Sequence, residues 1–337
     1  MHHRDNPIFP TVDTPYDTLI FDDMFNDFRN YLKENDLKLC PDGITVEELS
    51  LTDDSVKIIE FINKYYGNNE WKISITDDDI QAFKDRDNAT VIGFLWNKLL
   101  IGLVIVEIYD VYYKGVIQKA GSGDYLTLHP KFRNKGMATT LVAKAMDKTA
   151  ELGAKFTFFH SHAKLHVDCS IAHTLYNLPL TNIPIMAGAS KKNAHNSRAS
   201  STKLIAPTID HVKSLNEQPY SIYIKYDDKC LQSMIKHDNI YTDGNSVLRF
   251  ITLYNNLNGL RIKTAILIDY VNPNNRLFTS ALNDLREKGF DMITIINDKT
   301  LNDIISAFPF EKNSEMYTYM GNIRPKAKVN EMHLNLR

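Results

Sequence analysis

The spacing of apolar residues changes along the chain, and each change marks an element. Residues 17–38 carry apolar side chains at helical spacing, and residues 44–49 read as a short strand that leads into the cap-like Thr52-Asp53-Asp54. Beyond that cap the pattern predicts an amphipathic helix with Val56, Ile59 and Ile62 on one face. Thr76-Asp77-Asp78-Asp79 reads as another helix start, with Thr76 as the cap and three carboxylates favoured by the macrodipole. Residues 89–95, 99–109 and 123–128 are apolar or alternating and rich in β-branched side chains, with Trp96-Asn97-Lys98 as a tight turn. Together they predict an antiparallel meander. Its last strand ends at His129-Pro130, and after a loop of Arg, Lys and Gly a helix over 137–152 carries Leu141, Val142, Ala145 and Met146 on its inner face. A strand over 155–159 follows.

From 188 to 202 the composition turns to Ala, Ser, Lys and Asn without periodicity, which marks a junction. The element order then repeats: helix 207–215, strands 247–254 and 262–271, helix 278–288, strand 290–296, helix 301–307 and strand 315–320. The residues themselves do not repeat, but the shared order predicts two halves, 1–187 and 203–337. The fold class expected is α+β, with mixed, mostly antiparallel sheets flanked by helices. Residues 1–15 are polar, hold Pro7, Pro10 and Pro15, and read as an extended arm.

Composition narrows the partners. A formal net charge of -2 gives no reason to invoke nucleic acid or a charged membrane surface. No apolar run approaches the ~20 residues that cross a bilayer. Cys40, Cys169 and Cys230 are odd in number, widely spaced and without a ligand pattern, which argues for a reducing compartment and against a structural zinc. A cytoplasmic monomer without metal is the expectation.

The most informative loop is Arg133-Asn134-Lys135-Gly136-Met137-Ala138. Successive backbone N–H groups that enter a helix, with Gly at a crowded position, form a concave anion site that suits a pyrophosphate, and Arg133 and Lys135 add charge. The plain alternative is an ordinary strand-to-helix loop capped by Gly. A second cluster, Phe159-His160-Ser161-His162-Ala163 with His166, Asp168 and Cys169, admits a metal or a thiol–imidazole reading beside the simpler one of polar lining to a groove. Tyr65, Tyr66, Tyr109, Tyr112 and Tyr113 read as core or groove wall, since no basic patch surrounds them.

The spacing Arg-x-x-Gly-x-Ala resembles the pyrophosphate loop of the GNAT acyltransferase superfamily. A longer stretch, Tyr125-Leu126-Thr127-Leu128-His129 followed by Lys131-Phe132-Arg133-Asn134-Lys135, is similar to the acyl-CoA segment of the N-myristoyltransferases, Phe-Leu-Cys-Val-His-Lys-Lys-Leu-Arg-Ser-Lys. Phe250-Ile251-Thr252-Leu253-Tyr254, Ala281-Leu282, Lys288-Gly289-Phe290-Asp291 and Asp298-Lys299-Thr300-Leu301 resemble further stretches of that family in the same order. The tail His333-Leu334-Asn335-Leu336-Arg337 resembles its Gly-Leu-Val-Leu-Gln end.

The resemblance implies two fused GNAT-like halves and transfer of myristate from myristoyl-CoA, a co-substrate and not a resident cofactor, to the amino-terminal glycine of a protein. It implies that Tyr125, Leu126, Thr127, Leu128, Arg133, Asn134, Lys135, Gly136, Met137 and Ala138 hold the acyl-CoA, with backbone N–H groups of Tyr125 and Leu126 facing the developing oxyanion. Phe159, His160, Tyr254 and Leu336 would line the peptide, and the α-carboxylate of Arg337 would be the base. The chain departs from the family at Gly136, Thr139, Ser122-Gly123-Asp124 and the terminal Arg. Two other readings stay open: a GNAT-type transferase for a shorter acyl-CoA such as acetyl-CoA, and a non-catalytic peptide-binding relative.

Overall fold

The computed structural model describes residues 8–35, 42–67, 71–162, 164–165, 167–181, 201–326 and 332–334. The meander is the frame: β3 (Ala89–Trp96), β4 (Leu99–Tyr113) and β5 (Val116–Leu128) are antiparallel, and β1 (Ile44–Leu49) adds to the outer edge. Asn97 and Lys98 both take left-handed φ values, 50° and 64°, the geometry a two-residue hairpin needs to follow the strand twist. All three strands outrun the apolar pattern that predicted them. β4 reaches Tyr113 because β8 (Ile222–Lys225), from the second half, pairs with its end.

Helices cover both faces. α2 (Ser55–Tyr65) and α3 (Asp77–Arg86) pack on one face through Ile58, Phe61, Ile62, Ile80 and Phe83. The expected inner face of α2 is corrected here: Val56 is 64% exposed, because the buried stripe runs through positions 58, 61 and 62. α3 starts as expected, with Thr76 and Asp79 in a reciprocal capping box. α4 (Met137–Glu151) packs on the other face through Met137, Leu141 and Ala145, and buries Val142 and Met146 as well. The first helix is shorter than its pattern: α1 spans Met24–Glu34. Residues ahead of it are drawn into other contacts, with Asp17 N–H donating to Arg324 O at 2.8 Å and Ile20 N–H to Asn322 O at 2.9 Å.

The second half repeats the pattern. β10 (Val247–Leu257) and β11 (Leu260–Val271) form the hairpin, α7 (Asn275–Glu287) follows, and β12 (Met292–Ile296) returns parallel to β11, as α4 and β6 (Phe156–Ser161) do beside β5. The two halves then exchange strands. β13 (Glu311–Gly321) lies between β6 and β7 (Ile171–Pro179), while β7 pairs with β12. β2 (Trp71–Ser74) joins β10. One mixed, mostly antiparallel sheet therefore runs through both halves, in line with the expected fold class. The boundary read at 188–202 lies almost wholly in 182–200, outside the described residues.

Candidate active site

β5 and β6 pair at only three positions, Ala120 with Phe156, Gly121 with Thr157 and Ser122 with Phe158. Past them β6 keeps to β13, β5 keeps to β4, and a wedge opens between the two strands. β5 is bulged on its side of the wedge. The register passes from Leu103 opposite Thr127 to Ile105 opposite Asp124, so Tyr125 and Leu126 together face the single Val104. A bulge takes main-chain groups out of the ladder and re-aims them. Tyr125 has φ 51°, a left-handed conformation that costs an L-residue about 1–2 kcal/mol. Its ring is held 5.9 Å from Tyr66 and 6.3 Å from Phe83, and the Thr127 hydroxyl donates to Tyr125 O at 2.8 Å. The Tyr125 side chain packs with α2 and α3, and Leu126 packs on the α4 side. Thr127 and Leu128 are buried.

The loop after β5 begins with a 3-10 turn, Pro130–Phe132, capped by His129 Nδ1, which accepts from Lys131 N–H at 3.2 Å. Burial, with Lys131, Lys64 and Arg133 nearby, pushes the His129 pKa down. Asn134 (φ 59°) and Gly136 (φ 74°) are left-handed on either side of Lys135, and α4 begins at once with no side chain capping it. Its first-turn N–H groups have no side-chain cap and lie at the positive end of its dipole. Lys135 is exposed, its ammonium 5.8 Å from the Phe132 ring centroid. Met137 is buried in the α4 core and Ala138 is half-buried.

Arg133 is used differently from the simple expectation of added charge. Its guanidinium donates to Leu128 O at 3.1 Å, to Gly67 O at 3.0 Å and to Tyr65 O. It ties the end of β5 to the last turn of α2, where carbonyls carry the negative end of a helix dipole.

The residues expected at the peptide divide between the two faces of the sheet. Phe159 stacks on Tyr319 at 5.1 Å and meets Phe9 edge-on at 6.0 Å, within the cluster that covers α4. His160 points the other way, its Nδ1 2.9 Å from Thr318 Oγ1 on β13. The same hydroxyl is 2.8 Å from Nε2 of His173 on β7. His173 is buried, and burial pushes its pKa down to about 4 against the attraction of Asp298. Tyr254 lies on β10, five strands from β6 along the sheet, with the Arg261 guanidinium 4.3 Å from its ring centroid. Leu336 and Arg337 lie outside the described residues, as do Ala163 and His166. Cys169 donates to Thr11 O at 3.5 Å, and burial raises its thiol pKa. Burial lowers the pKa of His162. Among the described residues no group of three or more His, Cys, Asp or Glu side chains is placed to hold a metal ion.

The second half has its own wedge. β11 pairs with β12 only from Thr264 to Ile266, and its register against β10 then gains a residue at Ile268. The cleft that opens there is lined by Ile268, Tyr270, Asp298, His173, Thr318 and, from the carboxyl-terminal segment, Leu334. Sequence reasoning missed His173 and Thr318, because neither lies in a recognised motif.

Residues 56–167 match the acetyltransferase (GNAT) family. No curated protein matches the chain in sequence. The chain superposes on the crystal structure of Saccharomyces cerevisiae N-myristoyltransferase with bound myristoyl-CoA, with a TM-score of 0.68, 11% identity, and coverage of 86% of this chain and 84% of that one. The same enzyme with myristoyl-CoA and inhibitors gives 0.68 and 12% over 86% and 83%. A putative acetyltransferase from Pyrococcus horikoshii gives 0.56 and 10% over 89% and 96%. The segment similar to the acetyltransferase (GNAT) family holds both the wedge and the uncapped helix. Over 86% of the chain the fold is similar to that of N-myristoyltransferase, at 11–12% sequence identity.

Proposed function

We propose that the protein transfers a myristoyl group from myristoyl-CoA to the amino-terminal glycine of protein substrates. The observation that carries the reading is the bulge at Tyr125–Leu126 in a wedge that opens beside the uncapped start of α4; we assign the oxyanion to the bulge and the pyrophosphate to the helix start. The neutral amine attacks the thioester carbon, charge gathers on the carbonyl oxygen facing the bulge, and collapse releases the CoA thiolate. Support for the long chain comes from the likeness to an N-myristoyltransferase with myristoyl-CoA bound, over 86% of this chain, together with the ordered sequence matches. The proposed setting is the cytoplasm, with a monomeric enzyme.

A shorter acyl donor is the second reading, favoured by the match of residues 56–167 to the acetyltransferase family. Incubation with a peptide that begins with Gly and either myristoyl-CoA or acetyl-CoA, with free CoA as the readout, separates the two. Myristoyl-CoA turnover is expected; turnover of acetyl-CoA alone supports the second reading, and release from neither points to the non-catalytic relative.

A further inference from the structure

The hairpin between β3 and β4 runs past the start of α4. Ile92, Phe94 and Trp96 alternate onto the face of the sheet that α4 covers, and the first two are buried against the helix. Trp96 pairs with Leu99 across the turn, so both side chains leave the hairpin on that same face. What reaches them there is the 3-10 turn after β5, whose Phe132 ring centroid lies 5.9 Å from that of Trp96. Trp96 stays 45% exposed and Leu99 65%, side by side at the tip.

Cations flank this tip. Lys98 lies in the turn itself, Lys131 in the 3-10 turn, and Lys135 beyond it, with its ammonium 5.8 Å from the Phe132 ring centroid. All three are exposed, and among the described residues none of them has an ion pair, whereas Lys114, Lys148 and Lys288 elsewhere do. The charges that add to burial in holding the His129 pKa down are those of Lys131, Lys64 and Arg133, all positive. Asp77 and Asp78 begin α3, on the opposite face of the sheet, and Asp42, ahead of β1, is already engaged. The net charge of -2 for the whole chain averages this local excess away. An exposed Trp and Leu flanked by free ammonium groups suit a lipid interface: the apolar tip enters the headgroup layer while the lysines stay among the phosphates. Leu99, the more exposed of the two, offers no ring on which a base could stack, which favours lipid over nucleic acid.

We propose that this tip, Trp96 and Leu99 with Lys98, Lys131 and Lys135, docks the protein on the surface of an anionic lipid bilayer. Docking turns the end of the first half where α4 begins towards the lipid. A long-chain acyl-CoA partitions into the same interface, so a docked enzyme meets its proposed donor there. The docking surface itself stands on its own geometry and does not depend on which acyl group is transferred.

The test floats the full chain with vesicles of phosphatidylcholine, alone or with about a third phosphatidylserine. Partitioning is expected onto the anionic vesicles, to fall steeply at about 0.5 M salt as the charges are screened, and to be far weaker on phosphatidylcholine alone. Lys98→Glu is expected to weaken it by about fivefold or more, and Leu99→Ser by about tenfold, the scale of one lysine at a charged surface and one apolar side chain withdrawn from lipid. Lys312→Glu, at an exposed lysine of β13, changes the net charge as much as K98E and is expected to leave partitioning unaltered. In Trp71→Phe the sole remaining tryptophan is Trp96, and its emission is expected to move to the blue on anionic vesicles. No partitioning onto anionic vesicles overturns the proposal. Partitioning that L99S and K98E leave intact overturns it too, as does a Trp96 emission that stays put while the protein floats, since another face then meets the lipid. A single-stranded oligonucleotide that binds in a K98E-sensitive way, with vesicles unbound, makes this a nucleic-acid surface and overturns docking on lipid. Turnover is not read, so failure of the acyl-transfer reading leaves the result standing.

Discussion

The guanidinium of Arg133 donates to three main-chain carbonyls, and this sets what a substitution there does. Its fork reaches Leu128, Gly67 and Tyr65 at once; an ammonium is a point charge and cannot. Arg133→Lys keeps the charge but loses the fork. It is expected to lower stability by about 2 kcal/mol, near the effect of Arg133→Ala, on the scale of charge-assisted hydrogen bonds lost from a partly buried site. Thermal unfolding of the two variants checks this; a lysine variant as stable as the wild type shows that only charge matters. His173 governs a different property. Burial takes its pKa from an ordinary 6.5 to about 4, so the folded state refuses a proton that the unfolded chain accepts. Above the unfolded value both states are neutral and the histidine exerts no pull. As pH falls from 6.5 towards 4 stability is lost, by up to about 3 kcal/mol from this residue. Denaturant unfolding at pH 7.5 and 4.5 is expected to show a smaller acid loss for His173→Gln than for the wild type, and equal losses contradict the assignment.

At the scale of elements, the site depends on how closely α4 approaches β5. Gly121 permits that approach at the last paired positions before the wedge: a Cβ placed there comes 2.5 Å from the Thr149 Cβ of α4. Gly121→Ala is expected to push the helix off the strand, cost about 1–3 kcal/mol and raise KM for acyl-CoA, since the helix start moves with the helix. Calorimetry with acyl-CoA titration checks both, and an alanine variant with native Tm and affinity contradicts the tight approach. The helix and its loop were legible in the sequence because the apolar stripe, the Gly and the preceding strand agree. β7 was not, although it carries His173, because polar residues occupy its buried face. His173 and Asn177 are both buried, the latter accepting from the Thr294 hydroxyl at 2.8 Å, so the alternation that marks a strand is lost. The short β8, paired with β4 and β14 (Met332–His333), owes its place to strands distant in sequence. Tyr125 and Leu126 could be named from the resemblance, but the bulge they form arises from register, which no local pattern displays.

At the scale of the molecule, two meander-and-helix units share one sheet by exchanging strands: β13 enters the first unit and β7 pairs into the second. The repeated element order predicts two halves; the exchange of strands has no signal in any local pattern. That exchange brings His160, Thr318 and His173 onto three neighbouring strands. The central claim is acyl transfer from a long-chain CoA at the Tyr125–Leu126 bulge to an amino-terminal glycine. Its most direct measurement is fragmentation mass spectrometry of a Gly-initiated peptide containing an internal lysine, after incubation with the enzyme and myristoyl-CoA. The account predicts a single myristoyl group on the glycine nitrogen, and none on a matched peptide that begins with Ala. An unmodified peptide, or myristoyl found only on the lysine, would contradict it.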